Sequence, residues 1–149
     1  MEPLAGKLQL ICIAGRNGKL ERKLRETPGA MRKHVVGFTT EVPYYMRLAD
    51  FFIGKPGPGS LSEAVHLGLP CITVRNAATL PQERYNADWL ADNGYGVVLK
   101  SFRKIEKVVR ERVLAGDELS KMRTRVAAVH NRAVFEIPAI LEQILQKHA

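Results

Sequence analysis

A doubly wound, Rossmann-like α/β domain with a parallel sheet is the fold class that this 149-residue chain predicts. Three observations carry that expectation. Short apolar runs alternate with helical patterns, which implies parallel strands joined by helical crossovers and covered on both faces. The first run, "LQLICIAG" (8–15), is apolar almost without a break, as a strand buried on both faces would be. Glycine and proline gather where strands give way to helices, most densely in "GKPGPGS" (54–60).

The elements follow in order. After the strand at 8–15, "NGKLERKLRE" (17–26) reads as a short polar helix closed by "TPG", and "KHVVGF" (33–38) as a second strand. "EVPYYMRLA" (41–49) is a helical turn or two, with Pro43 early enough to be tolerated. "DFFIG" (50–54) is a third strand, 60–67 a helix stopped at Gly68, and "PCITVR" (70–75) a fourth strand. "PQERYNADWLADNG" (81–94) is a helix with proline at its first position and glycine past its end. "YGVVL" (95–99) is a fifth strand, and two or three amphipathic helices run from about Phe102 to the end. No repeat, low-complexity tract or linker interrupts this, so residues 1–149 read as one domain.

Composition bounds the function classes. No apolar run reaches the roughly 20 residues of a membrane-spanning helix, and the first ten residues lack a signal-peptide layout. Cys12 and Cys71 fall inside expected buried strands and read as small core residues, not as a disulfide framework. The net charge of +8 is uneven. Residues 1–50 carry 9 Lys/Arg against 5 Asp/Glu, residues 51–100 carry 4 against 4, and residues 101–149 carry 10 against 6. Such basic flanks suit a solvated face or an anionic partner surface. Few aromatics interleave with the basic residues of the last third, which argues against nucleic acid.

Doubly wound sheets bind ligands at the C-terminal ends of their strands. Three polar or glycine-rich loops stand there: "GRN" (15–17), "GKPGPGS" (54–60) and "RNAATLPQE" (75–83). The glycine loop is neither a Walker A loop nor a G-x-G-x-x-G. Still, Gly59 and Ser60 lead into a helix whose first N–H groups have no internal partner and would face an anion such as a diphosphate. A tight corner that simply needs glycine is the competing reading. Ser60-Leu61-Ser62-Glu63 fits a capping box, which would make Glu63 a structural partner of its own helix start. Alternatively Glu63 grips a vicinal diol such as a ribose. Thr79-Leu80-Pro81-Gln82 could likewise cap a helix, while Gln82 and Glu83 offer an amide and a carboxylate to sugar hydroxyls. Arg75 and Asn76 add polar capacity beside them.

The stretch 37–102, with "GKPGPGSLSEA", "GLP" and "PQERYN" in order, closely resembles monogalactosyldiacylglycerol synthases and bacterial diacylglycerol glucosyltransferases. More distantly it resembles the UDP-GlcNAc transferase of peptidoglycan lipid II synthesis. The resemblance runs from "ICIAGRN" through nearly the whole chain. It implies the donor-binding half of an inverting, metal-independent GT-B glycosyltransferase of glycolipid synthesis, with UDP-galactose or UDP-glucose as donor and no cofactor. Gly37 and Phe38 then match a uracil-contacting turn. Pro58, Gly59, Ser60 and Leu61 match the helix start that receives the diphosphate, and Glu63 matches the acid that holds the ribose. Gln82 and Glu83, with Asn86 nearby, match the pair on the donor sugar. Gly15, Arg16 and Asn17 resemble the loop bordering the diphosphate.

The same resemblance implies absences. The chain begins at what resembles the second strand of the donor domain, so the first strand and its glycine-rich loop are expected to be missing. The acceptor domain, with its general base and lipid contacts, is missing too and would be a further domain or a second chain. His34, His66, His130 and His148 sit in no recognisable base motif; His66 reads as helix surface. No cysteine–histidine cluster suggests a metal site. The expected setting is a peripheral membrane protein on a cytoplasmic face or plastid envelope, touching an anionic membrane surface. A non-catalytic nucleotide-sugar or partner-binding module is the alternative function. The isolated chain is expected to be inactive.

Overall fold

The structure, a computed structural model, describes residues 1–147; His148 lies outside them. Among the described residues, five strands alternate with four α-helices: β1 (Gln9–Ile13), α1 (Gly18–Glu26), β2 (Arg32–Val36), α2 (Val42–Arg47), β3 (Phe52–Ile53), α3 (Pro58–His66), β4 (Cys71–Val74), α4 (Pro81–Asp92) and β5 (Gly96–Leu99). Then come α5 (Ile105–Val108), continuing into a wider helical turn over Val109–Val113, α6 (Glu118–Ala127) and α7 (Ala133–Lys147). All strand pairings are parallel.

The expected single sheet is instead two. β1 pairs with β2, and β3–β4–β5 form a separate three-stranded sheet. The split changes what β1 is. Leu10, Ile11 and Cys12 are only half-buried and Ile13 is 40% exposed, where the apolar run predicted burial on both faces. A parallel strand is fully covered only when neighbours flank both its edges and helices cover both its faces.

Alternation along β4 and β5 sorts the core into two layers. Ile72, Val97 and Leu99 point to one face and pack with Leu4, Met31, Val109, Val113 and Met122. Cys71 points to the other, into a cluster of Met46, Leu61, Ala64, Val65, Leu69, Leu90 and Val126. Helices therefore cover both faces of this sheet, as expected of a doubly wound fold. Thr73 is fully buried in β4, and its Oγ1 has no hydrogen-bond partner among the described residues. Gly96 sits where β5 crosses closest to β4: a Cβ there would lie 1.8 Å from Cys71 O. Only glycine fits that approach.

Helix boundaries follow local chemistry. The Asn17 side chain accepts a hydrogen bond from Leu20 N–H (3.0 Å) and caps α1. α3 begins two residues earlier than expected, because Pro58 at its first turn is pre-set for helical φ. It ends at His66 with Leu67 as its cap, and Gly68 just beyond takes a left-handed φ of +77° that is open to glycine. α4 runs from Pro81 and closes before Gly94, as its sequence predicted.

Candidate functional site

The loops after β1 and β2 form one group of the expected residues. Gly15, with φ of +59°, turns the chain out of β1. Arg16 follows it, and its guanidinium stacks over the Phe38 ring at 4.5 Å. Phe38 is otherwise 61% exposed. Gly37 lies against α1, where a Cβ would meet the Glu21 carboxylate at 2.6 Å. Asn17 spends its side-chain oxygen on the α1 cap.

The loops after β3 and β4 form a second group. Gly57, not Ser60, caps α3. The capping box is therefore not formed: Ser60 Oγ donates to Gly57 O (3.2 Å), and the Glu63 carboxylate is exposed with no partner among the described residues. The reason is register, since Pro58 moves the helix start upstream and leaves Ser60 inside the first turn. Leu61 N–H is spent on Gly57 O (3.0 Å), and the Leu61 side chain is buried in the core. The N–H groups of Gly59 and Ser60 have no partner among the described residues, so they are the open donors of this helix start.

The glycines of this corner answer the question their density raises. None of Gly54, Gly57 and Gly59 has positive φ. A Cβ at Gly57 would make only ordinary contacts, 3.4 Å from Ser60 Oγ and 3.8 Å from Glu83 Oε1. A Cβ at Gly59 would meet nothing within 4 Å. Neither backbone conformation nor internal packing demands glycine at 57 or 59, although glycine in a helix costs up to about 1 kcal/mol relative to alanine.

α4 is tied to this corner. Asn86 Nδ2 donates to Pro56 O (2.9 Å), and Pro56 is buried. The tie brings the start of α4 over the glycine loop, with Glu83 beside Gly57 and Gln82 exposed. The expected Thr79 cap is absent: Leu80 holds the cap position, and buried Thr79 accepts instead from Asn76 N–H (3.0 Å). Arg75 and Asn76 are committed to structure. Arg75 pairs with Asp88 (2.8 Å), and Asn76 Nδ2 donates to Lys100 O (3.0 Å). Arg84, which the sequence did not single out, holds this loop through Thr79 O and Ala77 O. Its position at the fourth residue of a proline-started helix was the available signal.

No hydrogen bond or ion pair joins the two groups among the described residues. His66 lies exposed at the end of α3, beside His130 and Arg132 in a shallow depression away from these loops. Burial pushes the Cys71 thiol up to about 12, which makes it inert core, while half-buried Cys12 is raised less.

Similarity to known proteins agrees with this layout. Residues 2–141 match the glycosyltransferase family 28 C-terminal domain. A chloroplastic monogalactosyldiacylglycerol synthase from Spinacia oleracea is 34% identical over 141 residues, covering 93% of this chain and 27% of that relative. Monogalactosyldiacylglycerol synthase 3 of Arabidopsis thaliana is 33% identical over 93% of this chain and 30% of the relative. A processive diacylglycerol β-glucosyltransferase from Bacillus subtilis is 27% identical over 95% of this chain and 36% of the relative. The chain thus spans about a quarter to a third of the length of these curated relatives. A family match over nearly all of a parallel α/β domain, with an open helix start at the glycine corner, places this chain in the glycosyltransferase family 28 C-terminal domain family.

Proposed function

We propose that this domain binds the UDP-sugar donor of an inverting hexosyltransferase that glycosylates diacylglycerol. The observation that carries the reading is the start of α3. Gly59 and Ser60 offer free N–H groups in a place where the fold has no use for glycine, next to the unpartnered carboxylate of Glu63 and the start of α4. A diphosphate there would accept those N–H groups and be stabilised by the positive end of the helix dipole. Glu63, one turn on, would hold the ribose hydroxyls, and Gln82 and Glu83 the sugar. Gly37 and Phe38 would border the base, and Arg16, stacked over Phe38, the diphosphate. As the acceptor hydroxyl attacks the anomeric carbon, charge grows on the departing diphosphate, and the same N–H groups would stabilise it. The general base and lipid contacts would come from a further domain or a second chain. The basic flanks would lie against an anionic membrane surface.

Titration of UDP and UDP-sugar into single variants tests the assignment. Glu63→Gln should weaken both ligands, since both contain the ribose; losing a charge-assisted hydrogen bond costs about 1.5–3 kcal/mol. Gln82→Ala and Glu83→Ala should weaken UDP-sugar and leave UDP nearly unchanged. Variants that melt like the parent and bind both ligands as it does would refute the placement.

A further inference from the structure

The face that α4 turns toward the body of the domain runs Glu83, Asn86, Ala87 and Leu90, one helical stripe at i, i+3, i+4 and i+7. Ala87 and Leu90 are fully buried, and apolar packing accounts for them. Glu83 and Asn86 are polar and half-buried, at the end of the stripe that reaches the glycine loop. Asparagine is a poorer helix former than alanine or leucine, so neither helix propensity nor apolar packing explains position 86. We propose that Asn86 is a positioning residue: its amide sets the Pro56–Gly57 peptide so that Gly57 N–H becomes a third donor to the diphosphate. This role rests on the donor-site reading, and in it Asn86 touches no part of the donor.

The geometry starts from one long-range bond. Asn86 Nδ2 donates to Pro56 O (2.9 Å) across 30 residues of chain. The Pro56 ring is fully buried, so this residue is held at its ring and at its carbonyl. No peptide bond among the described residues is cis. In a trans peptide the C=O and N–H point opposite ways, so a bond that draws Pro56 O toward α4 turns Gly57 N–H away from it. Gly57 is the cap of α3. In a capping box the side chain three residues on bonds back to the cap N–H. Here that residue is Ser60, and its Oγ donates to Gly57 O instead (3.2 Å). Gly57 N–H is left with no partner among the described residues. Pro58 has no N–H, so Gly57 joins Gly59 and Ser60 as the open donors of this helix start. One helix would then serve both parts of the donor: Gln82 and Glu83 face the sugar, and Asn86 sets the loop that faces the diphosphate. Direct contact from Asn86 Oδ1 to the sugar is the competing role, and it predicts a different dependence on ligand.

Calorimetric titration of UDP and of UDP-glucose into the full chain separates the two roles. Asn86→Asp keeps an acceptor and loses the donor to Pro56 O, whereas Asn86→Ala loses both. For a positioning residue, each substitution weakens UDP roughly tenfold and UDP-glucose by the same factor, although UDP has no sugar to lose. A sugar contact leaves UDP unchanged and weakens only UDP-glucose, and that result overturns the proposal. Amide exchange read residue by residue adds a measurement that a general loss of stability does not mimic. In the parent, UDP should slow exchange at Gly57 as well as at Gly59 and Ser60. In Asn86→Ala the slowing at Gly57 should be lost. Slowing in the parent at Gly59 and Ser60 but not at Gly57 overturns the third donor without recourse to any variant, so an unfolded variant does not shield the proposal. A parent that binds no UDP refutes the donor-site reading, and this role with it. A parent that binds UDP, with folded Asn86 variants that bind it equally well, refutes this role alone.

Discussion

Gly59 separates folding from function most sharply. The backbone there is helical and a Cβ would enter open space. Gly59→Ala should therefore leave the fold intact and raise its stability by about 0.5–1 kcal/mol, through lower unfolded-state entropy and better helix propensity. The same methyl would stand before the N–H groups proposed to hold the diphosphate, so UDP affinity should fall at least tenfold. Thermal melts and calorimetry on one sample check both, and unchanged UDP affinity would remove the main support for the donor site. Cys71 makes a different residue-scale prediction. Its thiol titrates near 12 in the folded protein, above its ordinary value. A raised folded value means the thiol's contribution is fully present below the unfolded value and is lost as pH rises toward 12. Urea midpoints should therefore fall more steeply between about pH 9 and 12 in the parent than in Cys71→Ala, and iodoacetamide at pH 8 should modify Cys71 only after unfolding.

At the scale of elements, the β4–β5 pair carries the second sheet, and Gly96 sets its closeness. Gly96→Ala puts a methyl into Cys71 O, which side-chain rotation cannot relieve because the obstacle is backbone. The expected loss is about 1–3 kcal/mol, the usual range for overpacking, read as a lower urea midpoint with the slope retained. Preserved stability would mean the two strands can separate at no cost. α3 shows how element boundaries decide chemistry. "SLSE" carries the capping-box pattern, yet Pro58 starts the helix upstream and places Ser60 in the first turn. Glu63 is thereby left without a structural task. α7 is the other extreme: Phe135, Ile137, Ile140, Leu141 and Ile144 are all about half exposed or more, and none of its residues is buried.

For the whole molecule, the charge distribution matters more than the total. Lys19, Arg22 and Lys23 line one face of α1 around a shallow depression, and the first and last thirds each carry four more basic than acidic residues. No helix among the described residues is long and apolar enough to cross a membrane. Binding to vesicles containing anionic lipid should follow and weaken as salt rises, each basic residue near the surface contributing roughly 1 kcal/mol at low ionic strength. Co-sedimentation that is equal on neutral and anionic vesicles, or insensitive to salt, would reject the membrane role.

The order of elements was legible from sequence alone, because it rests on local signals. Apolar runs, Pro81 before Gly94 and the stop at Gly68 each act within a few residues of chain. The family was legible as well, since "GKPGPGSLSEA" and "PQERYN" lie close in sequence. What local pattern could not settle was competition between partners. Whether Glu63 caps a helix or stays free, and whether Asn76 meets a ligand or Lys100 O, depends on which groups arrive from distant parts of the chain. The depth of burial of β1 depends on the same thing. "LQLICIAG" is suited to burial on both faces, but covering a strand takes a neighbour on each edge, and tertiary structure places β2 on one edge only.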